Sequence, residues 1–220
     1  MGFPKPATGA GGNDFEPISA GLHYARCFAL VDLGVQRETY RDEVKESHKI
    51  SFGFEFPDEL VTFQRDGEEI TAPKILWTMP YTYSLGQKAR LRKLVQSWTG
   101  KALTAEQERS ADLTKLVGRP AQVSIVHVDG KDGKVYGNIN NDIVLPATPD
   151  QVKRAQAERM SVEPLIYSTE EPQVHYGRLP KFLKAKVDAR IIRGQSTAGQ
   201  GSQEDKARVG TDDFNDSIPF

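Results

Sequence analysis

Three carboxylates, two aromatic rings and an Ile-Pro pair crowd the last nine residues: Asp212, Asp213, Phe214, Asp216, Ile218, Pro219 and Phe220. Read as a free C-terminus, the segment offers a binding chemistry: an aromatic ring for an apolar slot beside an α-carboxylate for an Arg or Lys, a recurrent mode of peptide capture. Pro219 fixes its own φ and biases Ile218 toward extended geometry, so less entropy is lost on docking. The acids upstream would steer the tip toward basic surfaces. Groups suited to covalent or metal chemistry are sparse by comparison. His23, His48, His127 and His175 stand far apart with Cys27 as the sole thiol, so no metal-ligand spacing emerges and no cofactor is called for. Phosphate-loop, dinucleotide and Gly-x-Ser-x-Gly signatures are lacking from the sequence. Asp32 with Glu43-Val44-Lys45 imitates the two carboxylates and lysine of a metal-dependent nuclease, a pattern that three charges around a turn also produce by chance.

A non-catalytic chemistry requires less. Unpaired bases stack on aromatic faces while cations follow the phosphates. Tyr24, Arg26 and Phe28 alternate on one side of a strand-like run, Lys45 and Lys49 share the polar side of another, and Lys74, Trp77, Tyr81 and Tyr136 fall in or near further strands. Phe52, Phe54 and Phe56 share a uniformly apolar face and are assigned to the core, as is Trp98 on its helical stripe.

Period-2 alternation predicts the strands that must position these groups. Leu22–Leu33 places Ala25, Cys27, Ala29, Val31 and Leu33 on one face, and Val44–Phe56 places His48, Ile50, Phe52, Phe54 and Phe56 together. A third strand falls between Ile70 and Tyr83, broken by Pro73 and Pro80 in the manner of an edge or bend. Ser84 and Gln87 have capping-box spacing ahead of a helix carrying Leu91, Leu94, Val95 and Trp98 and stopped by Gly100. Shorter helical pieces follow at Thr104 and Asp112–Val117, then a hairpin of Ala121–Val128 and Lys134–Ile143, a helix capped by Thr148 with Pro149, and a basic one opened by Pro180. This order predicts a mainly β fold, a five-stranded OB-fold-like Greek-key barrel with added helices and disordered tails.

Composition sets the frame. The 220 residues carry a net charge of −1, and leaving out Asp212, Asp213 and Asp216 turns it to +2. Residues 86–119 hold eight Lys and Arg against three acids, and residues 176–194 six against one. Basic patches joined to an acidic tail imply a body that binds polyanions and a tip that binds protein. The longest apolar run, Cys27–Val31, is far too short to span a bilayer, and a single cysteine inside it fits a reducing cytoplasm. The expected organisation is a Gly- and Pro-rich flexible arm over 1–17, a folded domain over 18–193 ending in a helical extension, a flexible linker over 194–210 and the tip over 211–220. Such a linker would have an r.m.s. span of roughly 20–25 Å.

The tip resembles the C-terminal tip of bacterial single-stranded DNA-binding proteins, acidic and ending in Asp-Ile-Pro-Phe, with Ser217 here in place of the Asp. The body is similar to a family of bacteriophage single-stranded DNA-binding proteins with an OB-fold. The likeness runs through Gly21–Arg26, Asp32–Gly34, Tyr81–Leu85, Leu91–Leu94, Ser97–Gly100, Leu116–Pro120 and Leu179–Lys184. That resemblance implies a non-enzymatic protein of the host-cell cytoplasm. It would bind single-stranded DNA without regard to sequence and recruit replication, recombination or repair proteins through the tip. The rival expectations are an adaptor that presents the tip without binding DNA, and the nuclease.

Overall fold

The computed structural model describes residues 16–192; nearly all of the N-terminal arm, the 194–210 linker and the 211–220 tip lie outside the described residues. In chain order the elements are β1 (Gly21–Tyr40), β2 (Glu43–Arg65), β3 (Glu68–Trp77), β4 (Tyr81–Thr82), α1 (Arg90–Thr99) and α2 (Ala105–Ser110). A 3₁₀ turn (Leu113–Leu116), β5 (Pro120–Asp129), β6 (Val135–Pro146) and α3 (Pro149–Ala157) follow, then β7 (Leu165–Tyr167), a second 3₁₀ turn (Tyr176–Arg178) and α4 (Lys181–Asp188).

The mainly β expectation holds. All strands join one seven-stranded sheet with the order β3-β2-β1-β5-β6, while β4 pairs with β2 and β7 runs parallel to β1. Three meandering strands with a fourth returning beside the first make a Greek-key order. Along that path β3 and β6 are the ends, so the sheet is open between them among the described residues.

Both long hairpins extend well past the strands read from alternation. Their two-residue turns put Arg41 and Asp42 at φ 49° and 67°, and Asp66 and Gly67 at 52° and 86°. Positive φ at both central positions matches the twist of the flanking strands and lets each ladder run to the turn. Pro73 sits in edge strand β3 and Pro80 in the break before β4, as their missing N–H groups require.

Each face of the sheet carries its own core. On the first, Ile50, Phe52, Phe54 and Phe56 of β2 meet Leu91, Leu94, Val95 and Trp98 of α1. Trp98 lies 5.3 Å from Phe54 and donates from Nε1 to the Pro120 carbonyl at 3.1 Å. Burial of each such side chain stabilises by about 1.5–3 kcal/mol. The second face joins Phe28, Ala29, Val31 and Leu33 to Leu165 and Tyr167 of the neighbouring strand β7 and to Leu179, Leu183 and Val187, which places α4 over it.

One strand serves both cores because it changes sides. Cys27 pairs with Phe54 and Ala29 with Gly53, leaving Phe28 as an extra residue, a β-bulge. Ala25 and Cys27 therefore face α1, while Ala29, Val31 and Leu33 face α4. The single face expected for these five residues is divided by that bulge.

The helix starts mix agreement with correction. Thr104–Gln107 and Thr148–Gln151 form reciprocal capping boxes. Ser84 and Gln87 do not: α1 begins at Arg90 with Ala89 as its N-cap, and the Ser84 hydroxyl instead accepts from the Gly86 amide at 3.3 Å. No helix among the described residues is long and apolar enough to cross a membrane.

Candidate nucleic-acid interface

β4 holds the candidate site together. Its two residues pair with Lys49 and Ile50 of β2, and the turn that follows leads straight into α1. Lys88 and Arg90, at the approach to α1 and its first residue, thereby come opposite Lys45 and Lys49 across a groove of ≈ 570 Å³. Tyr81, Thr82, Ser84 and Gln87 complete its polar lining, and none of the described residues that line it is Asp or Glu. Lys45 and Lys88 are exposed and make no ion pair with a described residue. Lys49 is buried, with its Nζ 2.7 Å from Glu38 Oε2, so part of its charge is already answered. Lys45 and Lys88, both exposed, are the cations of this groove best placed to attract a polyanion.

An aromatic that alternation did not single out lies between Thr82 and Ser84, two residues of that lining. Tyr83 is 49% exposed, with its ring 5.3 Å from His48 and its amide donating to the His48 carbonyl at 2.7 Å. Strand alternation would put Tyr81 and Tyr83 on one face, but β4 ends at Thr82 and Tyr83 lies beyond it, so the two rings part. Tyr81 is the inward one, 3% exposed and edge-on to Phe52.

The other expected contacts scatter, and three aromatics expected to stack on bases belong to the interior. Phe28 enters the second core against Trp77 at 5.3 Å, and Tyr81 enters the first. Tyr24 is 7% exposed beneath the Arg154 guanidinium. Arg26 is buried as well, donating from Nη1 to the Glu158 carbonyl at 2.9 Å. For Tyr24, Arg26 and Phe28 the physical reason is common: the side of the sheet expected to face solvent is covered by the chain from α3 to α4, whereas Tyr81 is buried on the opposite side against Phe52. Trp77 is half-buried between Phe28 and Phe182. Lys74 donates to the Glu16 carbonyl at 2.7 Å, and Tyr136 lies over Gly130 with its hydroxyl donating to Asp132, closing the β5–β6 turn. Of the nine residues, Lys45, Lys49 and Tyr81 meet at the groove.

Not all of the basic residues in 86–119 are available to a ligand. Arg92 donates to the Leu85 and Leu103 carbonyls at 2.8 and 2.9 Å and to Glu108 at 2.5 Å, which makes it a strut under the loop before α2.

The carboxylate constellation does not assemble. Asp32 accepts from the Gly34 amide at 2.8 Å and from the Thr169 amide and hydroxyl at 3.2 and 2.5 Å, and lies 2.5 Å from His48 Nε2. Burial pushes its carboxyl up, but bonds from Thr169, Gly34 and His48 outweigh that and hold it below the usual carboxylate range. Asp32 pairs with Ile50 and Glu43 with Tyr40, so seven residues of β2 separate the two levels, about 23 Å at strand rise. A single metal ion cannot bridge that span. Among the described residues no group of three or more His, Cys, Asp or Glu could hold a metal ion.

Comparison with family models, curated proteins and solved structures returns no match for this chain.

Proposed function

We propose that the protein binds single-stranded DNA without sequence preference, shielding it and recruiting replication, recombination or repair proteins through the acidic tip. The observation that carries this is the groove lined by Lys45, Lys49, Lys88 and Arg90, with no Asp or Glu among its described lining residues, and the exposed ring of Tyr83 on the segment between Thr82 and Ser84, which line it. Cations for phosphates and a ring for an unstacked base are the two requirements of strand binding, and neither depends on base identity. The Greek-key order β3-β2-β1-β5 supports an OB-like body in the proposed sense, with its seam between β3 and β6. The tip's acids and its Ile218-Pro219-Phe220 ending supply the recruiting element, since they can compete for basic, apolar-pocketed partners.

Titration of the full chain with fluorescent oligo-dT and with a duplex of equal length, across a salt series without magnesium, tests the reading. Saturable binding to the single strand alone is expected, with log affinity falling against log salt by about 0.7 per phosphate contact. Equal affinity for the duplex, or no binding, overturns it and leaves an adaptor built around the tip.

A further inference from the structure

One segment is fastened to the sheet in a way the rest of the fold is not. α3 buries none of its residues, and the stretch from Pro149 to Glu163 is held to β1 and β2 by polar contacts together with the half-buried Met160 and Val162 against the second core. Arg154 grips Asp58 at 2.7 and 3.0 Å and sets its guanidinium 5.0 Å from the centroid of the Tyr24 ring. The Glu158 carbonyl accepts from Arg26, and the amides of Ser161 and Val162 donate to Glu55 Oε2 at 3.1 and 2.8 Å.

What lies beneath is chemically odd for a surface that merely supports a helix. Tyr24, Arg26 and Glu55 are 7%, 8% and 1% exposed, yet among the described residues the Tyr24 hydroxyl, Arg26 Nε and Glu55 Oε1 have no hydrogen-bond partner. Buried polar atoms are nearly always satisfied, and each exception calls for an explanation. Arg26 and Glu55 are register partners on adjacent strands, with Tyr24 two residues along β1. Together they present an aromatic face, a fork of N–H donors and a carboxylate, the set that stacks on a nucleobase and bonds its edge. Arg154, a planar cation, occupies the ring face where a base would stack. Glu55 also has the strand parity of Lys45 and Lys49, about 20 Å along β2 from Lys49.

We propose that residues 149–163 form a displaceable strap over a nucleobase-binding subsite made by Tyr24, Arg26 and Glu55, and that single-stranded nucleic acid takes the strap's place. The proposal rests on strand binding itself. The strap taxes affinity, because only the fraction of molecules with the subsite uncovered can use it.

Two measurements on the full chain test this. Arg154→Ala removes the cation over Tyr24 and the grip on Asp58, and oligo-dT affinity is expected to rise about three- to tenfold. An Arg that touched phosphate would show the opposite sign on removal. In the unaltered chain, saturating oligo-dT is expected to speed hydrogen exchange at the Ser161 and Val162 amides, which lose Glu55 as acceptor. If the unaltered chain fails to bind oligo-dT, strand binding itself falls. If it binds, while Arg154→Ala leaves affinity equal or lower and those amides stay protected, the strap is overturned.

Discussion

Removing Lys45 and Lys88 together, as Lys45→Ala/Lys88→Ala, separates an electrostatic groove from a chance gathering of surface lysines. Both side chains are exposed and unpaired among the described residues, so the double variant is expected to keep its stability within about 0.5 kcal/mol. Counterion release makes each phosphate contact on a single strand worth about 0.7 in the slope of log affinity against log salt. At about 0.1 M salt that is a factor of about five per lysine relative to 1 M, or about 1 kcal/mol each. The pair should therefore weaken oligo-dT binding about 25-fold at 0.1 M and reduce the slope by about 1.4, with the two titration lines converging near 1 M. Fluorescence anisotropy from about 0.05 to 1 M salt reads both quantities. Tyr83→Ala is the complementary arm: it should cost about 1–3 kcal/mol at every salt concentration and leave the slope unchanged. Parallel lines for the lysine variant, or an affinity untouched at low salt, would refute the groove as the phosphate path.

Two further predictions concern the scaffold. A Cβ at Gly53 would stand 2.8 Å from Cε1 and Cζ of Phe28 and 3.0 Å from Trp77, so Gly53→Ala should lower unfolding free energy by about 1–2 kcal/mol in urea, overpacking exceeding the entropy gained; a stabilised variant would show that the Phe28–Trp77 packing yields. The Asp32 carboxyl is held below its ordinary range, so its contribution is present in full above the unfolded value near about 4 and is lost as pH falls through the lower folded value. Asp32→Asn should consequently reduce stability at neutral pH and flatten the acid limb of thermal melting, and an unchanged acid limb would remove Asp32 from the account.

Alternation showed where the first core would lie because one face of β2 repeats Phe at every second position. It could not show that the other face is covered too, since α4 reaches it from more than 100 residues downstream and local pattern holds no record of it. Arg26, Lys49 and Glu55 have the composition of a wet face and are nonetheless buried. The β1 pattern failed at Phe28 for a related reason: a bulge leaves the apolar character of both sides intact while exchanging them. Capping at Thr104 and Thr148 was legible because the box is closed within four residues, whereas Ser84 is diverted by a turn of equal reach. The cations of the groove were visible as residue types. Their meeting depends on two backbone pairs made by β4, too short a strand to leave a period.

The bulge at Phe28 has a bearing on how such a chain can drift in length. Deleting one residue there would undo the exchange of sides and point everything up to the next register break at the wrong core, so inheritance has no gradual route through that position. The turns at Arg41-Asp42 and Asp66-Gly67 end ladders that project from the body, and residues could be gained or lost there in matched pairs without changing what faces inward. Relatives that differ in size should carry the difference at these two turns, with the spacing between Cys27 and Ala29 held constant.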